Sequence, residues 1–455
     1  MDYKETIEFL YAQLPVFSRD GASAFKKDLG NTLALCAALG DPQTKFKSIH
    51  IAGTNGKGSC SHMLAAIFQE AGYKAGLYTS PHLYDFRERI RINGALCSED
   101  FVVQFVQRIR PYLDRIQPSF FEITVVMAFC YFEQQKVDIA IIETGLGGRL
   151  DSTNVITPEL SLITNIGYDH MQFLGNTLTE IAGEKAGIIK EGRPVVISEY
   201  LPETKPVFEQ VAKNKHAPLF LAQNLWQMSV GVPTISTGNK QEPLLTICVR
   251  RKNNDSEITQ IHPMALADIY QLDLNGSYQL KNIVGVLEAV HQLRSLGWNI
   301  EKEALRKGLK RVKELTGIAG RWDQVSTDPW IITDVGHNVD GIKMIRNQLS
   351  KMKYSKLHII TGFVKDKDVS ASLKEMPKNA QYYFTQAPIP RALSAVELKA
   401  LALKFELEGN DYPNMKEALA AARANYKNGD LILVCGSVFL VAEVKDSMRQ
   451  LNIIA

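Results

Sequence analysis

The run Gly53-Thr54-Asn55-Gly56-Lys57-Gly58-Ser59 places one ammonium among three glycines. Glycines let a backbone turn tightly and aim its N–H groups at phosphate oxygens, and a helix beginning at the same point adds positive potential. Lys57 would then meet the β- and γ-phosphates of a nucleoside triphosphate. The strict phosphate-loop pattern is not met, because Ile51 stands at its first glycine and Gly58 at its Ser/Thr. A ligand-free turn is the alternative, and the run by itself names no reaction. Glu143 closes the apolar run Val137–Glu143 and is followed by TGLGGRLD, ending at Asp151. A carboxylate at the C-terminal edge of a parallel sheet lies on the side where ligands bind. His170, in TNIGYDHMQFLG, also follows an apolar run and reads either as a metal ligand or as a structural histidine. Ser80, in YTSPHL, reads by default as a turn former. Lys185, in IAGEKAGIIKEG, reads by default as a solvated helix cation beside Glu180 or Glu184.

Strands and helices in alternation must carry these residues. Lys47–Ala52 is a short strand candidate, the glycine run follows, and Cys60–Gly72 has helical apolar spacing that ends at a glycine. VDIAIIE and LSLITN read as buried parallel strands. Strands alternating with helices imply a parallel sheet covered on both faces. From about 202 to 263 the pattern changes to Pro, Asn and Gly clusters, with LLTICVRRKNNDSEITQI reading as strand, polar turn, strand. An antiparallel hairpin region is expected there. Thr316–Gly320 reads as a linker, after which PWIITDVGHN, KLHIITGF, QYYFTQAP and DLILVCGS restart the alternation as a second, smaller α/β domain. The expected division is 1–315 and 316–455.

Composition narrows the class. Lys and Arg number 52 against 49 Asp and Glu in 455 residues, a net charge of +3. So near a balance, with no basic stripe, gives no electrostatic footprint for nucleic acid. The longest apolar stretch, around Thr124–Phe132, is too short to span a bilayer. The start carries no basic and apolar leader pattern. Six cysteines without CxxC spacing read as reduced thiols. A cytoplasmic protein without a membrane partner is expected.

The ordered set HIAGTNGKGS, TSPHL, ERIRING, FFEITVVMAF, ETGLGGRLDSTN, TNIGYDHMQFLGNTLTEIAGEKAGIIK, QLKN and AGRWD resembles the folylpolyglutamate synthase/dihydrofolate synthase family, a branch of the Mur ligase superfamily. The resemblance covers nearly the whole chain. It implies a phosphate-loop parallel-sheet ATPase domain with a small antiparallel subregion, joined to a smaller Rossmann-like C-terminal domain that handles glutamate. It implies that Gly53, Thr54, Asn55, Gly56, Lys57, Gly58 and Ser59 bind ATP, so that the unusual Gly58 is a family feature. Further ATP contacts fall on Asn282, Arg321, Asp334 and His337. Magnesium ligands fall on Ser80, Glu143 and His170, and pterin contacts on Phe121 and Asp151. The active-site lysine falls on Lys185, which relatives carry as a carbamate. Three departures stand out: Ala319-Gly320-Arg321 in place of PGR, Asp334-Val335-Gly336-His337-Asn338-Val339 in place of DGAHNP, and GSVF at Gly436–Phe439 in place of GSLY.

The activity so implied is an ATP- and Mg2+-dependent joining of L-glutamate to dihydropteroate or folates, through an acyl phosphate, by a monomer. A Mur-type cell-wall amino-acid ligase is the nearest rival. Such enzymes place a UDP-binding domain ahead of the phosphate loop, and only about fifty residues precede Gly53, the bottom of the usual domain range. A nucleotide switch without ligase activity is the rival from another class; it has no use for Asp151, Lys185 and the AGR linker together.

Overall fold

Short runs dominated by apolar residues become strands buried on both faces. The computed structural model describes residues 1–14, 28–230, 244–252, 267–365 and 367–454. Contacts divide the chain into two units: Met1–Gly167 with Met171–Leu274 and Tyr278–Ile318, and Ala319–Ala455 with Tyr168–His170 and Asn275–Ser277.

In the first unit, β1 (Ser48–Ala52), β2 (Ala75–Tyr78), β3 (Ile90–Ile92), β4 (Ala95–Leu96), β5 (Ile139–Glu143), β6 (Leu160–Ile163), β7 (Val195–Ile197) and β8 (Leu219–Leu221) form one sheet in the order β4-β3-β2-β5-β1-β6-β7-β8. The six strands from β2 to β8 along it are parallel, and β3 and β4 add an antiparallel edge. Every residue of β1, β5 and β6 is buried, so the polar side chains among them need partners, as His50 finds in Thr153 and Ser161 in Ile188 O. The chain leaves β1 toward β2 on one side, while β6 leads to β7 on the other. The carboxyl ends of β1 and β6 therefore flank a topological switch point, where open α/β sheets bind ligands. The Lys57–Glu70 helix is buried continuously from Ser59 to Phe68, which explains its weak amphipathicity.

The antiparallel region differs from the expected span 202–263. Residues Lys205–Asn214 form a helix that buries Phe208 and Ala212, and β8 extends the parallel sheet. Pro206 sits in the first turn of that helix, where proline is tolerated because its missing N–H has no helical acceptor; read from sequence, it looked like a turn signal. The antiparallel sheet consists of β9 (Trp226–Val230), β10 (Leu245–Arg251) and β11 (Asp268–Leu272), in the order β11-β10-β9. The strand expected within SEITQI lies outside the described residues. A buried carboxylate ties this sheet to the Gln279–Ser295 helix: Glu288 accepts from Arg251 Nε and Trp226 Nε1, both at 2.9 Å.

The second unit holds β12 (Asp323–Thr327), β13 (Trp330–Thr333), β14 (Leu357–Thr361), β15 (Gln381–Phe384), β16 (Gly409–Asp411) and β17 (Leu431–Cys435). Their order is β12-β13-β17-β14-β15-β16, parallel except for the β12–β13 pair. The first unit ends at Ile318, inside the segment read as a linker. Among the described residues, no helix is long and apolar enough to cross a membrane. All six cysteines are free thiols, five of them buried.

Candidate active site

The glycine run follows β1 and enters its helix at Gly56, whose φ of +85° lies in the left-handed region. A Cβ there would overlap the Asn282 side-chain oxygen, so the position excludes every other residue on two counts. Lys57 Nζ folds back over the loop and donates to Gly53 O at 2.9 Å and Thr54 O at 3.4 Å. The loop is held against the end of β6: Thr54 N donates to Asn165 O at 3.0 Å, and Asn55 N to Asn165 Oδ1 at 2.9 Å. Thr164 Oγ1 donates to Asn55 O at 2.5 Å. Gly167 N donates to Thr54 Oγ1 at 3.0 Å. From the opposite side, Gln279 Nε2 donates to buried Ser59 Oγ at 3.1 Å, and Asn282 Nδ2 to Gln279 Oε1 at 2.7 Å. The result is a rigid turn with one ammonium at a helix N-terminus, suited to phosphate. Gly58, the departure from the strict pattern, is simply the second residue of the helix.

Glu143 ends β5 beside the loop, opposite Ile51 of β1. Its side chain is 4% exposed, and Ser80 N donates to Oε2 at 3.4 Å. A buried carboxylate beside a serine offers the hard oxygen donors that a divalent cation of the magnesium type takes. His170, the third expected ligand, belongs to the second unit, where its Nε2 lies 3.1 Å from Lys367 Nζ. Among the described residues no three His, Cys, Asp or Glu side chains converge as a preformed cage. The donors present fit a cation that keeps most of its ligands from water and phosphate.

The loop after Glu143 brings the two expected pterin contacts together. The Phe121 ring rests on Gly145, where any Cβ would overlap it. Asp151, 2% exposed, turns its carboxylate back into this loop. Oδ2 accepts from Leu146 N at 2.8 Å, and Oδ1 from Thr153 N at 3.0 Å and Thr153 Oγ1 at 2.5 Å. Burial raises the Asp151 pKa, and these hydrogen bonds to the charged form only partly offset it.

Lys185 sits in the last turn of the Leu178–Ala186 helix and is 3% exposed. The solvated-cation reading is therefore wrong. The GLGGR loop covers this end of the helix, with Arg149 N donating to Glu184 O at 2.7 Å and Asn154 Nδ2 to Gly187 O at 3.0 Å. The two carboxylates expected beside the lysine serve other groups: Glu184 binds Arg149 at 2.7 Å, and Glu180 caps its own helix through Thr177.

In the second unit, Asp334 follows β13. Its Oδ2 accepts from Trp322 N at 2.9 Å and its Oδ1 from Gly336 N at 2.8 Å. This carboxylate staples the Gly320–Trp322 turn, which carries Arg321, to the loop that carries His337. Asn338 caps the Val339–Leu349 helix, its side chain accepting from Gly341 N, which anchors the end of the loop. Asp169 was not anticipated from sequence, although it adjoins His170. Its Oδ2 lies 3.3 Å from His337 Nε2 and 3.2 Å from Asn338 Nδ2, and its Oδ1 pairs with Lys367 Nζ. Burial pushes its pKa up, but the His337 hydrogen bond and the charges of His170 and Lys367 prevail and hold it well below the usual range. Lys367 was missed too: within VKDKDV it reads as one more surface charge.

Known proteins resemble this chain in sequence and fold. The Mur ligase middle domain profile matches residues 51–290, and the Mur ligase glutamate ligase domain profile matches residues 320–438. A dihydrofolate synthase/folylpolyglutamate synthase of Bacillus subtilis is 32% identical over 93% of this chain and 95% of its own length. The structure of E. coli FolC in complex with DHPP and ADP superposes with a TM-score of 0.83 at 27% identity, covering 99% of both chains. A bifunctional folylpolyglutamate synthase/dihydrofolate synthase with Mn, AMPPNP and L-glutamate bound superposes at 0.80 with 26% identity, over 99% of this chain and 98% of that one.

Proposed function

Since the chain belongs to the Mur ligase family, in the branch of the dihydrofolate synthases and folylpolyglutamate synthases, it is an ATP-dependent acid–amino-acid ligase, and we propose that it joins L-glutamate to dihydropteroate, to the γ-carboxylate of folates, or to both. The cell-wall ligase alternative has no support beside relatives of this branch that match nearly end to end. We place the reaction in the cytoplasm, in a monomer.

A carboxylate is a poor electrophile, so amide formation requires its activation. Transfer of the ATP γ-phosphate gives an acyl phosphate, the glutamate amine attacks its carbonyl, and the tetrahedral intermediate expels phosphate. Both partners of the first step are anionic, so charge neutralisation dominates the barrier. The observation that carries this reading is the Lys57 ammonium held over Gly53 and Thr54 at the start of a buried helix. Lys57 and the loop N–H groups would hold the β- and γ-phosphates, with Asn282 supporting the loop. Glu143 and Ser80, with His170, would hold Mg2+, whose role when bound is to offset phosphate charge. Phe121 would stack the pterin ring and Asp151 would accept its N–H groups. Arg321, Asp334 and His337 would complete the ATP contacts from the C-terminal part of the chain. Lys185, as a carbamate, would add an anionic oxygen ligand at the metal.

The test offers dihydropteroate and tetrahydrofolate separately, each labelled with heavy oxygen in the carboxylate, together with glutamate and ATP. Glutamylated product with label in inorganic phosphate is expected from at least one substrate. Label in AMP, or no product from either, defeats the proposal.

A further inference from the structure

On the reading that Asp151 and Phe121 contact the ring of the carboxylate substrate, we propose that His50 and Thr153 are positioning residues for that substrate, a buried His50–Thr153–Asp151 chain holding the carboxylate as a fixed acceptor beside the aromatic face.

His50 lies on β1 just ahead of the phosphate loop, and its ring is fully buried. Nε2 is 2.8 Å from Thr153 Oγ1, which is 2.5 Å from Asp151 Oδ1. A hydroxyl has one proton to give, and Asp151 Oδ1 accepts from the Thr153 hydroxyl as well as from Thr153 N. Thr153 therefore donates to Asp151 and must accept from His50, which fixes the proton of the ring on Nε2. His50 Nδ1 has no partner among the described residues, so this tautomer strands no buried N–H, whereas the other would. Burial, with the charge of Lys190 behind it, pulls the His50 pKa down to about 3. The ring stays neutral, and the chain keeps one direction at any working pH.

That direction has a consequence for the site. Thr153 directs two donors, N–H and O–H, at the same oxygen of Asp151. Saturating Oδ1 fixes the carboxylate plane and leaves Oδ2 at the Gly145–Leu146 peptide, against which the Phe121 ring rests. A flat heteroaromatic ring lying on Phe121 would present its edge N–H donors to an oxygen whose position is set from β1. The sheet that carries the phosphate loop thus also sets the acceptor for the substrate ring.

Steady-state kinetics of Thr153→Val, Thr153→Ser, His50→Leu, His50→Gln and Asp151→Asn provide the test, with thermal midpoints as folding controls. Thr153→Val should raise KM for the pteridine substrate about 10-fold, the scale of one lost hydrogen bond to a charged group, with KM for ATP and for glutamate unchanged. Thr153→Ser should recover most of that loss. His50→Leu should show the same selective rise and His50→Gln, which keeps a donor near Nε2, should recover it; this pair decides the matter if Thr153→Val does not fold. An unchanged pteridine KM in Thr153→Val and His50→Leu, beside a raised one in Asp151→Asn, overturns the chain and leaves the Asp151 reading standing. An unchanged KM in Asp151→Asn overturns both. Equal changes in all three KM values together with a lowered thermal midpoint show a merely structural role and also overturn the proposal.

Discussion

Lys185 shows how burial changes the chemistry of one residue. On the proposal that Lys185 serves the metal, an ammonium that is 3% exposed would repel Mg2+, whereas CO2 added to the neutral amine leaves an anion with two acceptor oxygens. Glu184 pairs with Arg149, and Glu180 caps its own helix. Lys185→Ala is expected to lose about 100-fold or more in turnover and to regain part of it with short carboxylic acids in solution. Lys185→Arg should stay inactive, because a guanidinium keeps its charge and takes up no CO2. NMR with labelled bicarbonate reads the carbamate directly. An active arginine variant, or an unmodified lysine in active enzyme, would sink the assignment.

Between β11 and the Val312–Thr316 helix, Asp273 carries a charge that its surroundings resist. Lys313 N donates to Oδ2 at 2.7 Å, but Oδ1 is buried without a partner among the described residues. Burial outweighs the hydrogen bonds and pushes the pKa up from 3.8 to about 6. The folded state therefore holds a proton that the unfolded state releases across this window. Stability should fall as pH rises from about 4 to about 6 and stay at the lower value above. Asp273→Asn should remove this slope and stabilise the first unit at pH 8 by about 1–2 kcal/mol, the shift being discounted for residual exposure. Denaturant unfolding at several pH values checks both. A parent slope of the opposite sign, or an asparagine variant less stable at pH 8, would contradict the account.

At the scale of the molecule, the second unit gathers residues from three places in the chain, and Asp169 is what ties the earliest of them to it. Asp169 and Lys367 are 10% and 9% exposed, so breaking their pair leaves a buried charge, which costs roughly 3–5 kcal/mol. Asp169→Asn and Lys367→Met should each destabilise this unit, while the double variant should lose less than the sum, with a coupling of about 1–3 kcal/mol. The Asp169 pKa is depressed, so its contribution is present above the ordinary carboxylate value of about 3.9 and lost as pH falls through the depressed one. The deficit of Asp169→Asn should hold steady from pH 7 to 5 and shrink below about 4. Strict additivity of the two substitutions would remove the pair from the account.

Local chemistry was enough to read the strand-turn-helix step through Gly53–Ser59, because tight turns need glycine wherever they occur. It was enough for β1, β5 and β6 as well, since short runs dominated by Ile, Leu and Ala suit strands buried on both faces. Motif order along the chain identified the ligase family. What local chemistry could not supply was the company that side chains keep. Whether Lys185 is solvated depends on a loop from residues 145–149 folding over its helix, and Pro206 reads as a turn until the helix it opens is seen to bury Phe208. Asp169 and Lys367 are 198 residues apart and Ser59 and Gln279 are 220 apart, and His50 reaches Thr153 across a gap of 103 residues. Such pairings are set by the order in which strands join a sheet, and no window of sequence contains that order.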